Sequence, residues 1–546
     1  MLKSRNWNQI IAGMTGLFLM VAPSVFAGDT IMVNKSQRNT QGNTQSREPS
    51  ISADGRYVCF ESRATNLVPN DTNGVWDIFV KDLQSGKLRR VSVSSSGEQA
   101  NDFSTMSVIS ADGSTVAFMS AASNLVPNDT NNDWDFFVRD LKSGTTTRVS
   151  VSSDGTEGNG GADCDCRVYK FPGISADGQI ITFQSSASNL VPDDTNGVFD
   201  IFRHDRRTGE TVRISLSTDG QQADNDCWMR DMSPDGRFTV WHSAASTLVP
   251  NDTNGVRDVF INDFQTGVTE RVSIPVGGGE TDDISDSPRV SADGRFVAYA
   301  SLATNLVPND TNNQWDVFLR DRLLGVTSRI SVASDGTQGD LFSRHPSISA
   351  DGRKITFHSV TTNLIPGDTN GVRDIFMHNR VLGETIRIST ATGGGQSDER
   401  SYDAFISQNG QWIVFDSVAD NLVPDDTNDA RDIFRVNLFD NSLTLSEPVP
   451  GKPGVSNRWE ITGASPGATV TLVYGTKSGQ GHNIPGCTQK LEIVNPHTIA
   501  TADVRANGSA RIKMFVRQKV AGRTMFFQAF EPITCRKTNL VEFVFP

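Results

Sequence analysis

Seven times the chain carries an Asp-Thr-Asn tripeptide with a further aspartate four residues beyond the asparagine. The residues are Asp71, Asn73 and Asp77; Asp129, Asn131 and Asp135; Asp194, Asn196 and Asp200; Asp252, Asn254 and Asp258; Asp310, Asn312 and Asp316; Asp368, Asn370 and Asp374; and Asp426, Asn428 and Asp432. Side-chain oxygens at positions 1, 3 and 7 of such a loop are hard donors of the kind that calcium gathers, about six to eight to an ion. A main-chain carbonyl at the fifth position would add another. These loops are therefore candidate calcium sites. The same residues also satisfy Asx-turns, in which Asp and Asn bond their own backbone, and that alternative stands beside the metal.

The spacing is that of the start of an EF-hand loop, but the bidentate glutamate at the twelfth position is missing. Further oxygens would have to come from Asn66 or a neighbouring loop. Position 4 is Gly74, Asn132, Gly197, Gly255, Asn313, Gly371 or Asp429. These types accept left-handed backbone angles, so the loop should have one shape in all its copies. Position 6 reads Trp76, Trp134, Phe199, Arg257, Trp315, Arg373 and Arg431; such residues serve as interface anchors, or pack against the neighbouring repeat. A second acidic set, including Asp102, Asp224, Asp226, Asp282, Asp283, Asp286, Asp340 and Asp398, would attract a cation or a basic partner if it ringed one mouth of the fold. The preferred reading is a set of solvated loops in an acidic protein.

Nothing in the sequence demands catalysis. Gly463-Ala464-Ser465-Pro466-Gly467 matches G-x-S-x-G, but Pro466 has no N–H to give to an oxyanion. The histidines are scattered; His242 and His358 fall at the same repeat position and read as framework residues.

The elements that hold the loops repeat with the same period. S-x-D-G stands at Asp54, Asp112, Asp177, Asp235, Asp293 and Asp351, with a degenerate copy at Asn409; the copies are 58 residues apart except for one gap of 65. A period of this size marks a solenoid or a propeller. Each repeat reads as four short strands, a to d, with Asp-Gly supplying the a–b hairpin turn. Strands b and c, such as Tyr57-Val58-Cys59-Phe60 and Ile78-Phe79-Val80, are apolar on both faces, so each should be buried on both. The seventh repeat lacks a good d strand, while Ile31-Met32-Val33-Asn34-Lys35 precedes the first a strand. That segment is expected to complete the last sheet, which would remove an open edge.

The pattern I-S-A-D-G-R-x-V-x-F-x-S, then D-I-F-V-x-D, then a turn and R-V-S, resembles the TolB-like, WD-repeat-like β-propellers of bacterial envelopes, over roughly residues 30 to 446. The long N-L-V-P-N-D-T-N-G loop resembles an addition found in a secreted branch. The resemblance implies a protein-binding or scaffold propeller and carries no catalytic residues over.

The ends fit an exported protein. Lys3 and Arg5, an apolar run from Ile10 to Ala22, and Val25-Phe26-Ala27 make residues 1–27 a signal peptide. No later stretch reaches membrane-spanning length. Residues 28–446 are read as a seven-bladed β-propeller, 447–454 as a linker and 455–546 as a small Ig-like β-sandwich. Cys487 and Cys535 are the expected disulfide of that tail; Cys227 has Cys164 or Cys166 as candidate partners, and Cys59 reads as a buried free thiol. The net charge of −13 argues against nucleic acid or an anionic membrane as partner. The expectation is an all-β, monomeric, non-enzymatic protein in the periplasm or outside the cell, binding a protein or envelope component, with calcium as its possible cofactor. The alternatives are a polysaccharide lyase or hydrolase built on the propeller, and a structural surface or matrix protein.

Overall fold

The computed structural model describes residues 27–161, 171–392, 394–438, 444–462, 469–478, 491, 493–504, 509–531, 536–537 and 541–546. The signal peptide, Cys164, Cys166, Cys487, Cys535 and the Gly463–Gly467 motif therefore lie outside the described residues. The chain divides into two compact units, Ala27–Leu438 and one starting at Phe439.

The first unit is all-β and built of four-stranded antiparallel sheets, as a β-propeller is; seven are present among the described residues. The first sheet sets the pattern: strand a is Ser46–Ile51, b is Tyr57–Ser62, c is Asp77–Asp82 and d is Leu88–Arg90. Strands b and c are buried along nearly their whole length in every repeat. At their centre an aromatic pair stacks across the two strands, from Phe60–Phe79 at 5.9 Å to Phe415–Phe434 at 5.8 Å. Seven such pairs explain why b and c carry no polar alternation: each face meets a neighbouring sheet.

The seventh sheet comprises a (Ser401–Ile406), b (Trp412–Ser417), c (Asp432–Leu438) and, as its fourth strand, Ala27–Met32. Ile31 lies opposite Arg435 and Met32 opposite Phe434, and the Val33 N–H donates to the Ile433 carbonyl at 2.7 Å. The early strand expected to close the last sheet does so. Successive sheets pack face to face, and the a strand of the first packs against b of the seventh. One cavity of about 120 Å³ is lined by the a-strand segments of all seven sheets, including Ile51, Val108, Ile174, Met232, Val290, Ile348 and Ile406. The a strands therefore surround a common axis.

The Asp-Gly turns do two jobs. Gly55, Gly113 and Gly294 adopt φ of 75°, 69° and 69°, which an L side chain resists. The same glycines lie flat against Trp412, Tyr57 and Phe238, the first b residues of the preceding sheet. Sheet-to-sheet approach therefore uses the missing side chain as well as the turn angle.

The second unit holds a three-stranded sheet (Thr444–Leu445, Ser456–Thr462, Ala510–Phe515) and a five-stranded one whose long strands are Thr469–Gly475, His497–Asp503 and Thr524–Glu531. Trp459, Ile461, Val470, Leu472, Ile512 and Phe527 form their shared core. Here the sequence boundaries need correction. Leu445 pairs with Ile461, and Val449 exchanges both backbone hydrogen bonds with Arg458 at 2.9 Å. Residues assigned to the end of the repeats and to a linker are thus hydrogen-bonded into the tail, because Pro-rich composition signalled a spacer where the chain forms a sheet edge.

Candidate functional sites

The Asp-Thr-Asn loops share the conformation their sequence implied. All seven residues at position 4 have positive φ, from Asp429 at 48° to Gly74 at 68°. The residue before the first aspartate is left-handed too in six copies: Asn70, Asn128, Asp193, Asn251, Asn309 and Gly367. Position 3 acts as an internal clamp. Asn73 Nδ2 donates to Asp77 Oδ2 at 3.0 Å and to the Ala100 carbonyl at 3.0 Å, while its Oδ1 accepts from the Val75 N–H. Asn131, Asn196, Asn254, Asn312 and Asn370 bond Asp135, Asp200, Asp258, Asp316 and Asp374 in the same way.

The loop carboxylates converge, and in six copies they converge on a guanidinium. Arg90 lies 3.3 Å from Asp71 and 3.2 Å from Asp77. Arg213 lies 2.9 Å from Asp194 and 3.0 Å from Asp200. Arg148, Arg271, Arg329 and Arg387 join Asp129 with Asp135, Asp252 with Asp258, Asp310 with Asp316 and Asp368 with Asp374. The trio Asp129, Asp135 and Glu157 has metal-ligand spacing, but Arg148 reaches all three. The calcium expectation took these oxygens as open to an added cation; in six loops a side chain already supplies the positive charge. The seventh differs because its fourth strand comes from the other end of the chain: Gln41 Nε2 donates to Asp426 at 2.6 Å and Asp432 at 2.8 Å, and Asn34 bonds Asp432. Burial pushes Asp129, Asp252, Asp316 and Asp432 up to about 6 despite these partners. The arginine was legible, since R-V-S recurs with the period of D-T-N, but it was read only as strand d.

The second acidic set does not form a free ring. Asp224, Asp282 and Asp340 cap the backbone N–H groups of Ser246, Thr304 and Thr362. Among the described residues, Asp286 alone of these meets a guanidinium, Arg344, at 2.6 Å.

That contact belongs to a polar cluster that sequence reasoning missed. In most a strands the register slips against b, as between Arg47 and Ser50, or Tyr402 and Phe405. The bulged residue is left-handed without being glycine: Glu48 at 53°, Met106 at 54°, Ser287 at 55°, His345 at 52° and Asp403 at 21°. Bulges re-aim side chains, and strained backbone of this kind gathers at functional sites. His345 Nδ1 is 2.7 Å from Asp403 Oδ1. The His345 and His358 rings lie 4.7 Å apart. Arg431 bonds Asp416, approaches Asp403 Oδ2 at 3.4 Å and stacks over Tyr402 at 4.1 Å. Arg344 lies over Trp315 at 3.9 Å and Arg47 over Trp76 at 4.3 Å, so position 6 packs inside the unit.

Burial perturbs the titrating groups here. It lowers His345, against the bond and charge of Asp403, and lowers His358 further. It raises Glu48 well above the usual carboxylate range, with the charges of Asp403 and Glu61 adding to the effect. Asp403 is held low despite burial, by its bond to His345 and the charges of His345 and Arg431. Cys59 and Cys227 are buried free thiols. The signal for this cluster was charge in an inner strand: Arg47-Glu48, Arg230-Asp231, Asp286, Arg344-His345 and Asp403, where the second repeat reads Ser-Thr-Met-Ser-Val-Ile.

No family model matches the chain, and no curated protein matches it. Among solved structures it is similar to a protein described as TolB from Agrobacterium tumefaciens, at 18% identity over 52% of this chain and 80% of that one, TM-score 0.32. It is similar to the periplasmic gluconolactonase PpgL of Pseudomonas aeruginosa, at 17% identity over 64% and 84%, TM-score 0.30. The RRP9 WD40 repeats match at 9% identity over 76% and 100%, TM-score 0.40. No helix among the described residues is long and apolar enough to cross a membrane.

Proposed function

We propose that the chain is an exported seven-bladed β-propeller with a C-terminal Ig-like sandwich, and that it binds a protein or cell-envelope component. One observation carries this reading. The c–d hairpin tips of the fifth and sixth repeats expose aliphatic side chains: Leu323 at 73%, Leu324 at 66%, Val381 at 63% and Leu382 at 52%. The same tips in the first three repeats are Gln84-Ser85, Lys142-Ser143 and Arg207-Thr208. Aliphatic pairs at this exposure, on two successive sheets, are what a protein-docking face presents. The test is capture from an envelope extract with wild type and with Leu323→Ser/Leu324→Ser/Val381→Ser/Leu382→Ser. A protein retained by the wild type and lost by an equally stable variant supports the reading; equal capture rejects this face.

A polysaccharide lyase or hydrolase is the second reading. It is favoured by the convergence of His345, His358, Asp403 and Arg431, since catalysis needs polar groups in one place. Turnover of an acidic polysaccharide that stops in Asp403→Asn would support it.

A further inference from the structure

We propose that His345, His358 and Asp403 bind one divalent transition-metal ion through two imidazoles and one carboxylate. One ring nitrogen of each histidine and one Asp403 oxygen all lie within 4.8 Å of one another. Ligand atoms about 2.0–2.2 Å from a shared ion stand roughly 3–4 Å apart, so small side-chain rotations close the shell. The ligands come from three strands, Ser343–Ile348, Lys354–Ser359 and Ser401–Ile406, which fixes them on sheet rather than on mobile loops. Two of them, His345 and Asp403, are the residues whose backbone the bulge forces to positive φ, a strain that ligand clamps retain.

His358 supplies an independent observation. It is 4% exposed, and its Nδ1 is buried with no hydrogen-bond partner among the described residues. A buried ring nitrogen without a partner is costly, and coordination would satisfy it. A cavity of about 20 Å³ lies against His345 and Asp403, room for one water or a solvent ligand.

The chemistry selects the ion. Imidazole nitrogens with one carboxylate suit zinc, cobalt, nickel or ferrous iron, whereas calcium and magnesium want all-oxygen shells. Imidazole ligates metals in its neutral form, so any proton that makes a ring cationic leaves to solvent on binding. Arg431, anchored on Asp416 and 3.4 Å from Asp403 Oδ2, opposes the ion, as do the charges of Arg230, Arg344 and Arg373 near the two rings. This site stands whether the protein docks a partner or turns over a substrate.

The test uses the untagged full chain, stripped with chelator and titrated with Co²⁺ alone, then with Zn²⁺ and Ca²⁺ as competitors. The expected result is a saturable visible Co²⁺ spectrum at one ion per chain, displaced by Zn²⁺ and not by Ca²⁺. His358→Gln should weaken binding at least tenfold, while His242→Gln, outside the cluster, should not. No saturable spectrum in the wild type overturns the proposal, and this arm needs no variant to fold. Unchanged affinity in a folded His358→Gln variant overturns it too.

Discussion

Trp412 and Gly55, from the two ends of the repeat array, touch so closely that a β-carbon on Gly55 would sit 2.1 Å from the indole Cδ1. Gly55 also has φ +75°. Gly74, in the first Asp-Thr-Asn loop, has φ +68° but open space around it. The two glycines separate turn strain from sheet packing. Gly74→Ala should cost about 1 kcal/mol, the left-handed penalty alone. Gly55→Ala adds overpacking and should cost about 3 kcal/mol or more. Equal losses in denaturant melts would mean that the join between the first and seventh sheets does not depend on this contact.

Arg213 offers a test of the loops. Its side chain is 7% exposed and those of Asp194 and Asp200 are 7% and 0%. Arg213→Met leaves two buried carboxylates without their cation and should destabilise by about 3–5 kcal/mol. Burial already raises Asp194 above its ordinary value of 3.8. A raised acid contributes stability that is present below its unfolded pKa and is lost as pH rises through the folded one. The gap between variant and wild type should therefore widen from pH 4 to pH 7. The arginine-filled loops also predict that adding calcium to chelator-stripped protein shifts the melting midpoint by no more than about 1 °C; a clear rise would favour calcium in these loops.

His242 tests the buried histidines. Burial lowers it to about 3 from 6.5, so its stabilising contribution is full above pH 6.5 and is lost as pH falls towards 3. At pH 5 the neutral ring costs the folded state about 2 kcal/mol relative to pH 7. Stability measured at both values should fall more steeply for the wild type than for His242→Gln. Parallel curves would show that this ring is not kept neutral in the fold.

The repeat, its four strands and the left-handed position 4 could be read from residue types, because turn angles and two-sided burial are local demands. The period of 58 residues also exposed the missing last strand and its replacement near the N-terminus. What no local rule could supply was who meets whom. Arg90 lies 13 residues beyond Asp77, and only strand pairing brings its guanidinium back over the loop. His345 and Asp403 are 58 residues apart on successive inner strands, and each alone looks like an ordinary polar residue. Their meeting depends on two sheets packing beside one axis and on bulges that turn both side chains to one point. Sequence therefore settled the repeating unit, whereas tertiary structure decided the charge partners, because a constant spacing marks a repeat and only strand pairing and sheet packing show which buried charges meet across space.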